Sequence, residues 1–387
     1  MSPEARLPSV RDLRLAGRRV FIRADLNVPL RDGAVADDSR IRASMETLDF
    51  VRRAGGRAVL ASHLGRPKAA PDPRYSLAPV ARRMGLPLAP DCVGPAVEAA
   101  VAKLRDGDAI LLENLRFHAG EEANDPAFVA ELARLCDVYV NDAFGTAHRA
   151  HASTEGLARV CAEAAAGFLL EREVAALSRV RDAPEHPYLC ILGGAKVSDK
   201  LAVLESLAAR ADTVAIGGAM AYTFLLAKGE PVGRSLVEPE LVATAKRLLA
   251  GKTELLLPVD HVVASGPDDA AGARTVERIP DDAMALDVGP RSRAALERRV
   301  ATAKTVFWNG PLGFFERPPF DAGTRAVAEM LARSSAYSVV GGGDSLAAVQ
   351  AAGVGERISH LSTGGGASLE FLEGAALPGV EALRGRA

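Results

Sequence analysis

Short, almost unbroken apolar runs recur along the chain, separated by longer stretches rich in Ala, Leu, Arg and Glu. In the first half the runs are RVFIRA (19–24), RAVLAS (57–62), AILLE (109–113) and VYVND (138–142). In the second half they are YLCIL (188–192), TVAIG (213–217), ELLLP (254–258), TVFWN (305–309), YSVVGG (337–342) and ISHLS (358–362). A strand with one wet face alternates apolar and polar residues. Most of these runs do not, which predicts parallel strands covered on both faces. The stretches between them read as crossover helices, so the pattern is one of repeated βαβ units. The fold class expected is α/β, with two doubly wound parallel-sheet (Rossmann-like) domains. GFLLEREVAALSRVRDAPEHP (167–187) has helical periodicity and stops at a proline-containing turn, which predicts a helix joining the two.

Composition narrows the function classes. With 387 residues, 48% hydrophobic and 25% charged, each half is long enough to bury its own core. A net charge of -2 argues against general nucleic-acid binding, so any anion site must come from local clustering of positive charge. Only eight of the 47 basic residues are lysines, which draws attention to Lys196 and Lys200 within one five-residue window. Cys92, Cys136, Cys161 and Cys190 show no zinc or C-x-x-C spacing and read as reduced thiols. The first residues lack a signal-peptide core and no apolar run reaches membrane-span length, so a cytoplasmic protein without a membrane partner is expected.

In open α/β sheets ligands bind beyond the carboxyl ends of the strands. In the first half those ends carry Asp25 and Asn27, then His63, Arg66 and Lys68, then Asn114, Arg116 and His118, then Asp142, His148, Arg149 and His151. Arg40 and Arg42 stand just before a helical stretch. If one sheet carries these ends, the side chains converge, and arginine's planar fork suits phosphate and carboxylate. The set reads as a pocket for a small, multiply anionic metabolite, or else as surface ion pairs. The histidines read as donors, since no H-x-x-x-H or H-E-x-x-H spacing occurs.

In the second half the strands are followed by glycine instead: LGGAKVSDK, IGGAMAYTF, WNGPLGFFE, VGGGDSLAA and LSTGGGASLEFLEG. Glycine lets the backbone approach a ligand, and helix N-termini behind such turns favour anions, so this half reads as a nucleotide site. Asp344 reads either as a helix N-cap or as a ligand of nucleotide-bound Mg²⁺. Glu316 reads as a ribose acceptor or a surface acid. ILGGAKVSDKL (191–201) does not match the usual P-loop. It predicts a strand ending near Leu192, a turn at Gly193–Gly194, and a helix with Lys196 and Lys200 one turn apart on one face.

Taken together, RADLNVP, SHLGRP, LENLRFH, VNDAFGTAHRAH, LGGAKVSDK, LDVGP, WNGPLGFFE, GGGDS and STGGGASLEFLEG resemble the phosphoglycerate kinase family, in order and over nearly the whole chain. That resemblance implies reversible, direct phosphoryl transfer from 1,3-bisphosphoglycerate to MgADP, giving 3-phosphoglycerate and MgATP. It implies a glycerate-binding domain at 1–168, a nucleotide-binding domain at 169–371, and a tail at 372–387 returning to the first. An active-site cleft would lie between the domains, which close around both substrates. Asp25, Asn27, Arg40, His63, Arg66, Arg116 and Arg149 would hold 3-phosphoglycerate. Arg40 and Lys196 would meet the migrating phosphoryl group, with Gly364, Gly365 and Gly366 opening a helix that faces it. Lys200 would bind nucleotide phosphate, Asp344 would ligate Mg²⁺ and Glu316 would bind ribose. Gly217, Gly218, Ala285, Leu286 and Pro311 would border the nucleotide, as would Gly342, Gly343 and Ser345 near its phosphates. Ser345 stands where the family often has threonine, and Ala285 where some members have glycine. The resemblance also implies a monomer. Two other classes stay open: a binding protein of the same fold without turnover, and a nicotinamide-dependent oxidoreductase. The latter would need G-x-G-x-x-G after a strand, whereas these glycines come in pairs and triplets.

Overall fold

In the first unit, β1 (Arg19–Ala24) is the central strand. A short hairpin of β2 (Leu30–Arg31) and β3 (Ala34–Val35) follows, then β4 (Arg57–Ala61), β5 (Ala109–Leu111), β6 (Val138–Asp142) and β7 (Ala164–Ala166). The computed structural model describes residues 7–384. The five longer-range strands form one parallel sheet of order β5-β4-β1-β6-β7. Val20, Ile22 and Ala24 of β1 enter a core with Leu48, Val51 and Val80, while Phe21, on the opposite face, stacks on Tyr139 at 6.2 Å. Both faces are covered, as the unbroken apolar sequence requires.

The second unit opens with β8 (Tyr188–Leu192), β9 (Thr213–Ile216) and β10 (Glu254–Leu256), and continues through β11 (His261–Ala264), β12 (Arg274–Val276) and β13 (Met284–Val288). It ends with β14 (Thr305–Asn309), β15 (Tyr337–Gly341) and β16 (His360–Ser362). Six of these form a parallel sheet of order β10-β9-β8-β14-β15-β16. The other three form a small antiparallel sheet, β12-β11-β13. The core under the six-stranded sheet gathers Leu189, Ile191, Val306, Trp308, Val327 and Val340.

One unit reaches to Ala175 and resumes at Ala376, and the other is Ala176–Ala375. The division falls inside the helix Phe168–Asp182. The rejoining tail is tied to the first unit by Gly379 N–H on the Ala147 carbonyl (2.8 Å) and by Asn141 Nδ2 on the Gly379 carbonyl (3.2 Å).

Besides the β2–β3 hairpin, two features differ from the apolar-run reading. β7 is three alanines, which carry little strand preference; pairing with β6 on one side and a bridge to Ser9 on the other make it a strand. The antiparallel sheet escaped because its strands are only three to five residues long and sit among Asp- and Gly-rich turns.

Candidate active site

Each parallel sheet reverses direction of growth beside its first strand, and that switch point opens a crevice beyond the strand ends. In the first unit it lies between β1 and β6, in the second between β8 and β14.

Beyond β1 and β4 the first-unit side chains are strongly interlocked. Asp25 is buried and its Oδ2 accepts from Arg40 Nη1 at 2.7 Å. Asn27 Oδ1 accepts the Gly65 N–H at 2.9 Å, which pins the loop after β1 to the turn after β4. Arg116 is buried, donates from Nη1 to the Gly65 carbonyl (2.9 Å) and pairs through Nε with Glu122 (3.1 Å). Arg149 Nε lies 3.2 Å from His148 Nε2. Arg66 is exposed, and Arg42 turns away to pair with Asp38.

His63 and His151 are neutral here. Burial drives the His63 pKa well down, and the charges of Arg23, Arg116 and Arg40 push the same way. Burial, Arg116, Arg23 and Arg149 hold His151 at about 4. His63 Nδ1 is 3.1 Å from Arg23 Nη2. A guanidinium only donates, so Nδ1 accepts and Nε2 carries the ring hydrogen. His63 is thereby fixed as a donor suited to an anion.

Arg23 was missed because it sits inside an apolar strand. It is 1% exposed and donates to Ser153 Oγ (2.8 Å) and to its neighbour Ala24's carbonyl (2.5 Å). Ser153 in turn donates from Oγ (2.6 Å) and backbone N–H (3.0 Å) to the fully buried Glu121. An arginine in the interior of an apolar strand run was the available signal, since a buried charge must be paired or hydrogen-bonded. His118 does not join this group: its Nε2 lies 2.8 Å from Asp91 Oδ1.

The second-unit switch point is built from backbone. A Cβ on Gly193 would lie 2.0 Å from the Pro311 carbonyl oxygen, and one on Gly310 2.2 Å from the Gly193 oxygen. Only glycine permits the loops after β8 and β14 to touch. Beside them is a cavity of about 300 Å³. Gly194, Gly218, Ala285, Leu286, Pro311, Glu316 and Asp344 all line it. Tyr222, Leu236, Met284 and Phe314 complete its walls and were not foreseen. FF in WNGPLGFFE was the signal, since Phe314 is a large apolar side chain left 37% exposed at the rim.

The helix Gly343–Ala351 begins with Gly342 as its cap and has no side-chain cap bond, so Asp344, exposed in the first turn, is not the N-cap. Ser345 is fully buried and its Oγ accepts the Gly310 N–H at 2.7 Å. Its hydroxyl faces inward, and Gly342, Gly343 and Gly217 lie outside the cavity lining. Gly365 adopts φ 56°, ψ -120° ahead of the helix Gly366–Glu373, and open space surrounds both glycines.

The two lysines depart from the expected shared helical face. Residues 193–197 are irregular, Ser198–Lys200 form a 3₁₀ turn, and the helix starts at Leu201. The close approach of the β8 and β14 loops leaves no room for an immediate helix. Lys196 is exposed. Lys200 folds back, placing Nζ on the Gly193 carbonyl (2.5 Å), the Asn309 carbonyl (3.1 Å) and Asn309 Oδ1 (2.6 Å). Burial lowers its pKa to about 8, against the opposing pull of Asp344 and Asp199.

The family model described as phosphoglycerate kinase matches residues 10–375. The chain belongs to the phosphoglycerate kinase family. The match runs through both units and takes in every charged residue named above. A phosphoglycerate kinase of Solibacter usitatus is 56% identical, over 97% of this chain and 98% of that one. The solved phosphoglycerate kinase of Coxiella burnetii superposes with a TM-score of 0.90 at 40% identity, over 99% of this chain and 100% of that one. That of Pyrococcus horikoshii superposes at 0.85 with 32% identity, over 97% and 98%. By family the chain is a phosphotransferase of glycolysis, and the nicotinamide-dependent alternative falls.

Proposed function

We infer that the first unit holds the glycerate and the second the nucleotide, and that a phosphoryl group passes directly between 1,3-bisphosphoglycerate and MgADP. The observation carrying this division is electrostatic: Arg23, Arg40, Arg116 and Arg149 surround histidines that they and burial keep neutral. Such a group suits a small ligand bearing phosphate and carboxylate. The second-unit cavity has apolar walls with Glu316 and Asp344 at its edge, which suits a base, a ribose and a metal-bound phosphate chain.

Neither reacting oxygen needs a strong base, because carboxylate and diphosphate are ionised at neutral pH. Alignment and charge neutralisation remain to be supplied. Arg40 and the exposed Lys196 neutralise the oxygens of the group in transfer. Asp25, Asn27, His63, Arg66, Arg116 and Arg149 orient the glycerate. The amides opening the helix Gly366–Glu373 face the phosphates. Lys200 fixes the loops after β8 and β14 and presents its charge to the nucleotide phosphates from there.

Mg²⁺ fits Asp344: an exposed, uncapped carboxylate at the cavity is the single hard oxygen ligand that this ion takes alongside phosphate oxygens. When bound, it screens the nucleotide's phosphate charge. Transfer brings both ligands together, so closure of the two units belongs to this reading, as do a monomer and a cytoplasmic setting. Coupled ATP consumption with 3-phosphoglycerate tests it. Folded protein with Mg²⁺ that binds both ligands but turns over neither would favour the binding-protein alternative.

A further inference from the structure

We infer that Asp91, Cys92 and His118 form a site for a soft divalent cation, with Zn²⁺ the fitting ion, separate from the arginine crevice and from Asp344. The thiol sulfur, an imidazole nitrogen and a carboxylate oxygen all lie within 4.8 Å of one another. Zinc binds sulfur, nitrogen and oxygen at about 2.0–2.3 Å in a tetrahedron, so adjustments on the order of 1 Å bring the three onto one ion. Sulfur and imidazole select such an ion over Mg²⁺, which takes oxygen ligands.

The local structure holds the ligands in place. Asp91 and Cys92 are adjacent in the loop before the helix Pro95–Ala102, and the Cys92 N–H donates to Asp91 Oδ1 at 2.6 Å. His118 follows the turn Leu115–Phe117, and its ring stacks on Phe128 at 5.3 Å. The His118–Asp91 contact at 2.8 Å shows that ring and carboxylate already meet. Cys92 is buried, with the carboxylates of Asp91 and Glu121 near its thiol. The same carboxylates attract a cation, and a cation displaces the thiol proton. Asp91 also lines a cavity of about 540 Å³ with Pro90, Glu113 and Phe117. Three protein ligands, one of them at the cavity wall, leave a fourth position for water or a small ligand, so the ion is exchangeable.

The full chain, without nucleotide and with excess Mg²⁺, is titrated with Co²⁺ as spectroscopic probe and then with Zn²⁺. Wild type should show a thiolate-to-cobalt charge-transfer band that Zn²⁺ removes, at one ion per chain. Cys92→Ser should lose the band, and His118→Gln, at a half-buried position that tolerates the change, should weaken Zn²⁺ binding at least tenfold. No thiolate band in wild type overturns the inference. So does unchanged affinity in His118→Gln, which decides the matter even if Cys92→Ser fails to fold.

Discussion

Arg40 Nη1 sits 2.7 Å from Asp25 Oδ2, an ion pair with its acid buried and its base one-third exposed. The guanidinium is thus held at the first-unit crevice by one edge, with the rest of its fork available to a ligand. Arg40→Ala should lower kcat by about 10³–10⁵, the range for a charge acting on a phosphoryl group in transfer. Binding of 3-phosphoglycerate should weaken far less. Equal losses in kcat and affinity would make Arg40 an ordinary binding residue.

Lys200 meets three oxygens from two loops, so its removal should be felt first in stability. Lys200→Met leaves buried acceptors at Gly193 and Asn309 without a donor, at about 2–4 kcal/mol. Urea unfolding should show a lower midpoint with an unchanged slope. A variant as stable as wild type but defective in nucleotide binding would place the lysine's role in the ligand alone.

Asp344 has no capping duty, so its loss should spare the fold. Asp344→Ala should unfold within about 0.5 kcal/mol of wild type, as exposed substitutions do, while demanding more Mg²⁺ for half-maximal rate. An unchanged Mg²⁺ titration would remove Asp344 from the metal's shell.

Asp142 accepts the N–H groups of Leu169 (2.8 Å) and Leu170 (3.3 Å) at the start of the helix Phe168–Asp182. Those bonds favour its charged form, yet burial outweighs them and raises the carboxyl to about 7. The folded state therefore holds this proton more tightly than the unfolded chain, whose value is ~4. Its contribution to stability is complete below pH ~4 and is lost as pH rises through about 7. Asp142→Asn keeps an acceptor for both N–H groups and removes the titration. Wild type should lose stability relative to this variant between those pH values in paired thermal melts. A constant difference would show that Asp142 is charged throughout.

Strand ends show what was legible and why. The bounds of β1, β6, β8 and β14 coincide with their apolar runs because central strands are covered on both faces. β7 depends in part on Ser9, far back along the chain, and the antiparallel sheet on strands too short to stand out among their turns, neither of which local sequence displays. Motif charges such as Arg116 and Asp344 could be named as candidates from what precedes and follows them. Where each one points could not, as Lys200 and His118 show. Lys200's orientation is decided by Asn309, 109 residues away, and that of His118 by Asp91, 27 residues away.

The rejoining tail sets an order of manufacture. Leu377, Val380 and Leu383 are buried, and Gly379 closes hydrogen bonds with Asn141 and Ala147. On the ribosome these partners emerge early, but the tail that covers them follows the whole of Ala176–Ala375. At ordinary synthesis rates that is a wait on the order of 10–40 s. The first-made unit is therefore the last to be finished, and its unpaired surface near Ala147 is where a nascent chain would need a chaperone's cover.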